Sequence, residues 1–291
     1  MSLVKYEIFS RVAEVGSFTK TAESLGLTQS AVSHAIANLE KEFGFPLVHR
    51  NRGGISLTND GYVILVNIRK VLHFDEQLRQ EAAKITGLTK GTVKIGTFTS
   101  VSSKWLPEII NKMEKEFPHI RIELIEGDYF EIETWLLNGK IDCGFINVDH
   151  SNHFEIIPLK KDRLLCIVSE ENALSRQSMI ELEQLKNVPF IMPTYGGYHE
   201  VKFLFESKGI EPNIRFELMA EDSIKSMVAH NLGVSILPEM LLESMPSGCS
   251  AIPLTEDSFR VLGLAARFNL SPAAKQFVDV TKRWIQETSV S

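Results

Sequence analysis

Short polar side chains recur at helical spacing between positions 28 and 38. On a helix they share the surface opposite an apolar face, and the set is Thr28, Gln29, Ser30, Ser33, His34 and Asn38. Amide and hydroxyl groups near a helix start can hydrogen-bond to base edges, and free backbone N–H groups there can bind phosphates. An ordinary solvated face is the alternative. The scarcity of lysine and glutamate on this surface favours a DNA-reading helix.

Two arginines in a predicted hairpin turn are the next candidates for nucleic-acid chemistry. Arg50 and Arg52 are flanked by His49 and Asn51, and Gly53 follows in the turn. Guanidinium groups on such a hairpin suit contact with phosphates or with the minor groove. The alternative is a solubilising turn.

A cluster of five hydroxyl side chains stands between a predicted strand and the helix that contains Trp105. Its members are Thr97, Thr99, Ser100, Ser102 and Ser103. Backbone N–H groups at a helix start, aided by hydroxyls, can hold a carboxylate or a sulfate-like anion. Helix capping is the alternative, and it needs only one or two of the five.

Signatures of enzymes are missing from the sequence. It has no nucleophile elbow, P-loop, HExxH or dinucleotide-binding glycine pattern, so we predict no catalytic residues, no cofactor and no metal. An enzyme with an active site between domains remains the alternative. Cys143, Cys166 and Cys249 are far apart and are predicted to be reduced and buried. Oxidant sensing by Cys143 or Cys166 is disfavoured, because both lie in apolar strand patterns.

Length and composition predict a cytoplasmic protein of about two domains. The chain has 291 residues, of which 44% are hydrophobic and 23% are charged. No apolar run reaches the roughly 20 residues that a membrane helix needs, and the start lacks a secretion signal. We therefore predict no membrane partner. A transport binding protein is disfavoured for the same reason.

The charge balance predicts weak DNA binding by a single copy. The formal net charge is -6, and residues 1 to 62 carry six basic and six acidic side chains. Since Lys and Arg supply most nonspecific DNA affinity, the domain would depend on dimerisation.

Three short helices and a hairpin must position the polar face. Helix one is predicted over 3–15, Ser17 caps helix two, which ends before Gly26, and Thr28 caps helix three, which ends before Gly44. Two helices joined by a short glycine turn indicate a helix-turn-helix. Predicted strands at 47–50 and 55–57 would form a wing.

A long helix is predicted from Thr58 to about residue 85. Apolar residues recur every seven positions, at Ile64, Val71, Leu78 and Ile85, with Ile68 and Ala82 four positions after two of them. This pattern predicts a dimerisation seam, which Asp75 interrupts. A helix packed on its own domain is the alternative.

From Gly91 the sequence alternates strand and helix patterns, which indicates an α/β domain. Two successive halves predict a cleft between them. Strands are predicted at 92–97, 120–126, 142–147, 164–169, 190–192, 214–219, 234–237 and 261–266, and helices at 105–116, 130–138, 200–207, 222–231 and 272–287.

Many positions along the chain match one family pattern in order. In the first 61 residues they are Phe9, Val12-Ala13-Glu14, Gly16-Ser17-Phe18-Thr19, Ala22, Leu25 through Ser33, Ile36, Leu39-Glu40, Phe43-Gly44, Leu47, Arg50, Leu57-Thr58 and Gly61. The matches continue through Gly91, Ile95-Gly96, Leu106-Pro107, Phe117-Pro118, Gly139, Asp142, Gly233, Ile236 and Pro238. On these residues the chain closely resembles the LysR-type transcriptional regulators. Val48 and His49 depart from the usual wing pattern, which has Phe and an acidic residue there.

The resemblance implies an α+β multidomain fold with a winged helix-turn-helix, a long linker helix and an α/β effector domain of two subdomains like those of periplasmic binding proteins. We predict the DNA-binding domain at 1–58, the linker at 59–88, subdomain I at 91–161 and 267–291, and subdomain II at 162–266. The implied partners are double-stranded DNA, a small-molecule effector, further copies of the chain as a dimer of dimers, and RNA polymerase.

The implied function is sequence-specific transcription regulation, with DNA binding or bending modulated by a small organic anion in the cleft between subdomains. Family loops that match this sequence add to the hydroxyl cluster. The predicted effector-binding residues are Thr97, Thr99, Ser100, Val101, Ser102, Gly127, Tyr129, Asn147, Thr194 and Tyr195.

Overall fold

The N-terminal domain consists of three helices and a two-stranded hairpin. In the computed structural model, which describes residues 2–51, 54–86, 89–148, 154–194, 198–267 and 269–288, its elements are α1 (Leu3–Val15), α2 (Phe18–Leu25), α3 (Gln29–Phe43), β1 (Val48–Asn51) and β2 (Gly54–Leu57). β1 and β2 pair antiparallel, with Val48 opposite Leu57. Each helix matches its prediction, and each strand differs from its prediction by one residue.

The caps of α2 and α3 produce the tight turn between these helices. Ser17 accepts a hydrogen bond from the Lys20 N–H, and Gly26 ends α2 in the left-handed conformation with φ 65°. Glycine adopts that conformation without a Cβ penalty. Thr28 then caps α3 by accepting from the Ala31 N–H at 3.2 Å. The predicted helix-turn-helix is confirmed.

Helix α4 (Asn59–Ile85) joins the two domains and packs against both. Its N-terminal third buries Leu65 and Ile68 in the core of the N-terminal domain, and Ile64 is half-buried there. The predicted seam was therefore wrong over this third, because Ile64 and Ile68 face their own domain. In this third of α4 the alternative is correct, because the helix packs on its own domain.

The remaining apolar residues of α4 form an exposed stripe. Val71, Phe74, Leu78 and Ile85 are all solvent-exposed, with Leu78 at 69% and Ile85 at 86%. In the apolar pattern predicted from the sequence, Asp75 interrupted the row four positions after Val71. In the structure the neighbouring Phe74 is part of the exposed stripe. Asp75 instead accepts a hydrogen bond from Arg79 at 2.8 Å.

The C-terminal domain is α/β and has two subdomains. Its strands are β3 (Gly91–Thr97), β4 (Ile120–Glu126), β5 (Cys143–Asn147), β6 (Glu155–Ser169), β7 (Phe190–Pro193), β8 (Ile214–Leu218), β9 (Ser235–Pro238), β10 (Cys249–Pro253) and β11 (Phe259–Ala266). Its helices are α5 (Thr99–Lys104), α6 (Leu106–Glu116), α7 (Tyr129–Leu137), α8 (Tyr198–Ser207), α9 (Glu221–Ala229) and α10 (Pro272–Thr288). The sequence analysis missed α5 and β10.

One long strand connects the subdomains. The first part of β6 pairs with β11, beside β5, β3 and β4 of subdomain I, while its last residues pair with β9 and β10 of subdomain II. The strand predicted to begin at Leu164 therefore begins at Glu155. Separate apolar cores fill the subdomains, with Trp105 and Phe277 in the first and Phe190 and Phe205 in the second. No helix in the described ranges is both long and apolar enough to cross a membrane.

Candidate functional site

The predicted polar face of α3 lies on the surface of the N-terminal domain. Its opposite face buries Val32, Ala35, Ile36 and Leu39 in the domain core. This burial turns the polar residues outward. Thr28, Gln29, Ser30, His34 and Asn38 are exposed, and Ser33 is half-buried.

Arg50 lies on β1, beside this helix, and is half exposed. Its guanidinium stands 3.9 Å from a carboxylate oxygen of Glu40 and 5.3 Å from the centre of the Phe18 ring. The other Glu40 oxygen accepts hydrogen bonds from the Leu47 and Val48 N–H groups, at 2.9 and 3.2 Å. Glu40 thus fixes both the start of the wing and the direction of Arg50. Arg52 and Gly53 lie outside the described residues.

A second candidate site lies where the two subdomains of the C-terminal domain meet. Six buried polar side chains form what we call the inter-subdomain cluster. Three come from subdomain I and three from the connecting strands and subdomain II: Ser100, Tyr129, Asn147, Asp162, Glu200 and Arg260. None is more than 7% exposed.

Arg260 is the centre of the inter-subdomain cluster and is 2% exposed. Its Nε and Nη2 donate to one oxygen of Asp162, at 2.9 and 2.7 Å. Nη2 also donates to the Ser100 hydroxyl at 2.9 Å, and Nη1 donates to the Tyr129 hydroxyl at 2.8 Å. The other Asp162 oxygen accepts from the Met240 N–H at 3.1 Å. The guanidinium is therefore neutralised and largely satisfied by its neighbours.

The protonation of Tyr129 and Arg260 is fixed by this environment. Burial raises the pKa of the Tyr129 hydroxyl, although the charge of Arg260 opposes the shift. Burial alone would lower the pKa of Arg260, but Tyr129, Asp162 and Glu200 outweigh it and hold the pKa above its ordinary value. Tyr129 is thus a neutral phenol and Arg260 a cation.

Glu200 connects the two subdomains through contacts of its carboxylate. It lies on α8 of subdomain II, and its Oε1 accepts from the Asn147 side-chain amide of subdomain I at 3.0 Å. The Tyr129 hydroxyl of subdomain I also interacts with this carboxylate. Its second oxygen, Oε2, is buried without a hydrogen-bond partner among the described residues.

The structure brings three of the predicted effector residues together and separates the others. Ser100, Tyr129 and Asn147 meet in the inter-subdomain cluster. Thr97 is buried at the end of β3, Val101 packs in the apolar core of subdomain I, and Thr99 and Ser102 are half-buried on α5. Gly127 lies against the Trp135 ring, and the half-buried Thr194 directly follows β7. Tyr195 lies outside the described residues.

Sequence analysis missed the three charged members of the inter-subdomain cluster. A signal was nevertheless present in the strand alternation, since residues two apart on a strand face the same side. Arg260 shares its side of β11 with Leu262 and Leu264, which are buried. Asp162 likewise precedes the buried Leu164 on β6. A charge in register with buried apolar positions indicates an internal ion pair.

The cysteines give little support to redox chemistry. Cys143 and Cys166 are buried, as predicted, whereas Cys249 is half-buried. Burial raises the pKa of the Cys143 thiol well above its usual range and that of Cys166 to about 12. Such thiols hold little reactive thiolate near neutral pH. In the part of the chain that is described, no group of three His, Cys, Asp or Glu side chains could hold a metal.

Two family models match the chain. Residues 3–62 match the bacterial regulatory helix-turn-helix protein of the lysR family, and residues 86–286 match the LysR substrate binding domain. The first match covers the exposed face of α3 and the hairpin. The second covers the inter-subdomain cluster.

Relatives and solved structures agree with these matches. An uncharacterized HTH-type transcriptional regulator of Bacillus subtilis, YvbU, is 35% identical over 289 residues, covering 97% of this chain and 98% of its own. The transcriptional activator CmpR of Synechocystis is 31% identical, over 81% of this chain and 78% of its own.

The fold is that of a full-length variant of OxyR from Pseudomonas aeruginosa, with a TM-score of 0.77 and 20% identity over 98% of this chain and 95% of that one. Full-length CbnR in complex with its target DNA gives a TM-score of 0.66 at 20% identity, over 97% of this chain and 99% of that one.

Proposed function

Because the chain belongs to the LysR family of transcription regulators, with a DNA-binding helix-turn-helix and an effector-binding domain, we propose that it controls transcription through paired copies on DNA. Two N-terminal domains would bind two half-sites. A small molecule between the C-terminal subdomains would alter their placement and the DNA bend. Subdomain boundaries near residues 161 and 266 and action in the cytoplasm are part of the proposal.

The observation that carries the DNA-binding part is the exposed polar face of α3. We assign sequence reading to Gln29, Ser30, Ser33, His34 and Asn38, with Thr28 at the helix start. Arg50 would contact the backbone, together with Arg52, which the sequence places in the same turn. Amides discriminate bases, whereas guanidinium groups on a wing add affinity for any sequence.

Replacement of Gln29 should change which DNA is bound. In Gln29→Ala, discrimination at one base pair should fall by about 1–3 kcal/mol, whereas Arg50→Ala should weaken all sequences similarly and reduce the salt dependence. Fluorescence anisotropy with the upstream DNA and single-base variants measures both. Asn67→Ala, an exposed amide on α4, serves as the control. Equal losses on every sequence for Gln29→Ala would contradict its reading role.

The exposed apolar stripe on α4 supports pairing of copies. A charge at Leu78 should weaken self-association roughly tenfold to a hundredfold, since burial of one leucine contributes about 1.5–3 kcal/mol. Sedimentation equilibrium of Leu78→Glu measures this effect. Lys84→Glu changes an exposed position on another side of the same helix and should leave association intact. Unchanged association of Leu78→Glu would remove the stripe from the interface.

The effector part of the proposal is supported by the inter-subdomain cluster. Its hydrogen bonds cross from subdomain I to subdomain II, so a molecule that replaced them would change how the subdomains close. A ligand must prefer one arrangement to shift the equilibrium. We include in this site the effector-binding residues that were predicted from the hydroxyl cluster and from the family loops. That the effector is a small organic anion stays a prediction from the sequence.

A screen of small molecules tests the proposal as a whole. Compounds that raise the melting temperature of the full chain should also change its footprint on upstream DNA. RNA polymerase would respond to the altered complex of the protein with upstream DNA. Turnover of a metabolite without salt-sensitive binding to upstream DNA would instead favour an enzyme.

A further inference from the structure

The charges of the inter-subdomain cluster do not balance. It contains the carboxylates of Asp162 and Glu200 and one guanidinium, Arg260. Arg260 already makes four hydrogen bonds, two of them to Asp162 at 2.9 and 2.7 Å. Because this pair neutralises itself, Glu200 leaves a net negative charge inside the protein.

Glu200 is poorly compensated for a buried carboxylate. It is 7% exposed, and Oε2 has no hydrogen-bond partner among the described residues. Its Oε1 accepts from the Asn147 amide at 3.0 Å, and the Tyr129 hydroxyl also interacts with the carboxylate, so both of these neighbours are neutral. Arg260 is the one cation of the cluster and interacts with both Asp162 and Glu200, so it cannot balance the two buried carboxylates. Excess buried charge is costly, so the site suits a second positive group.

The hydroxyls that predicted an anion are already engaged. The Ser100 hydroxyl accepts from Arg260, the Ser102 hydroxyl donates to the Thr99 carbonyl at 3.1 Å, and the Ser103 hydroxyl donates to the Ser100 carbonyl at 3.4 Å. Helix α5 uses these groups for itself and for Arg260. The Ser100 hydroxyl still has its own proton to donate, but Asp162 and Glu200 of the same cluster would repel an incoming carboxylate.

A second pair of carboxylates adds negative potential between the subdomains. Glu221 begins α9 of subdomain II, and Glu126 ends β4 of subdomain I. Burial raises the pKa of Glu221, and the negative charge of Glu126 raises it further, against the opposing pull of Lys225. Lys225 is itself bound to Asp222 at 2.7 Å and to the Leu241 carbonyl at 3.3 Å. Each subdomain thus contributes one carboxylate to this second acidic pair.

We propose that the effector carries an ammonium or guanidinium group that pairs with Glu200 inside the cleft. The inference rests on the proposed function and names the chemical class of its ligand. The cation would donate hydrogen bonds to Glu200 Oε2 and would supply the positive charge that the cluster lacks. Glu126 and Glu221 would attract it towards the cleft.

Matched probes of different charge test this inference on the full-length chain. Putrescine, lysine and arginine supply the cations, while succinate and butanediol are an anionic and a neutral counterpart of putrescine. We expect a cationic probe to raise the melting temperature and change the footprint on upstream DNA, and the two counterparts to do neither. Calorimetric titration should show roughly tenfold to hundredfold weaker binding to Glu200→Gln, because a charge-assisted hydrogen bond is lost.

Two controls separate ligand recognition from folding. Glu206→Gln removes an exposed carboxylate from the same helix and should keep the response. Without ligand, Glu200→Gln should melt a few degrees above the wild type, because it removes an uncompensated buried charge. The comparison of probes on the wild type does not depend on this variant folding.

The inference would be overturned if all three cationic probes were inactive or if Glu200→Gln responded as the wild type does. If succinate alone shifts melting and changes the footprint, the ligand is an anion and the proposed function stands without the inference. If no probe of any charge changes DNA binding, the inference fails together with the effector part of the function.

Discussion

Asp162→Asn is expected to lower the free energy of unfolding of the C-terminal domain by about 3–5 kcal/mol, because it breaks the buried ion pair in which Asp162 accepts two hydrogen bonds from Arg260. The two side chains are 1% and 2% exposed, so water cannot take over the lost interaction. Urea titration followed by tryptophan fluorescence measures the change. All three tryptophans report on this domain: Trp105, Trp135 and Trp284.

An exposed ion pair nearby provides the control. Asp257 accepts from Lys161 at 3.2 Å and is 82% exposed, so Asp257→Asn should cost no more than about 1 kcal/mol. Replacing both buried partners, as Asp162→Leu with Arg260→Met, should recover only part of the loss, because the ion pair is removed as a unit but Glu200 then has no cation in the cluster. A loss for Asp162→Asn as small as that for Asp257→Asn would contradict the burial argument.

Gly61→Ala is expected to remove most specific DNA binding by adding one methyl group. A Cβ at position 61 would lie 2.1 Å from the Leu47 carbonyl oxygen, which also accepts from the Thr58 N–H at 3.0 Å. The backbone at Leu47 leads directly into β1. The wing must therefore shift by roughly 1 Å relative to α4, since close-packed interiors cannot absorb the clash.

Helix propensity and the steric clash predict opposite changes in the stability of Gly61→Ala. Helix propensity alone would make alanine more stable than glycine by up to about 1 kcal/mol, whereas overpacking costs about 1–3 kcal/mol. We expect destabilisation and roughly tenfold or greater loss of affinity for upstream DNA, measured by thermal melting and anisotropy. Gly209→Ala, far along the chain with nothing within 4 Å of its Cβ, should retain DNA binding, although its φ of 64° makes alanine there lower the melting temperature. Normal binding by Gly61→Ala would show that wing placement is not critical.

The N-terminal domain was largely predictable because local signals define its elements. Ser17 and Thr28 cap their helices as short polar residues do elsewhere, and Gly26 ends α2 in the left-handed region. The direction of the α3 face followed from the same periodicity that buried Val32 and Leu39. Heptad spacing, however, cannot tell a partner from the chain's own domain, so Ile64 and Ile68 were misassigned.

The charged part of the inter-subdomain cluster was out of reach because its contacts are distant in sequence. Arg260 binds Asp162 across 98 positions and Ser100 across 160. Propensity and periodicity describe neighbours only. The hydroxyl cluster predicted Ser100, and the family resemblance predicted Tyr129 and Asn147, but neither indicated their charged partners. The early start of β6 was missed for a related reason, since Pro158 and the charged run from Lys160 to Arg163 interrupt its apolar pattern and its partner strand β11 is distant in sequence.

Helix α4 is attached by hydrogen bonds to subdomain I of the C-terminal domain. Gln80 is buried and accepts from the Ala273 N–H at 3.0 Å, while His73 contacts Asp142 at 3.3 Å and the Asn269 carbonyl at 3.0 Å. These contacts attach α4 to subdomain I, while its N-terminal third packs in the core of the N-terminal domain. A helix of 27 residues is about 40 Å long, so a turn of about 5° at one end moves the other by about 3 Å. That displacement is on the order of one base-pair step, so under the proposed function a small movement in the effector domain would change the register of the helix-turn-helix on DNA.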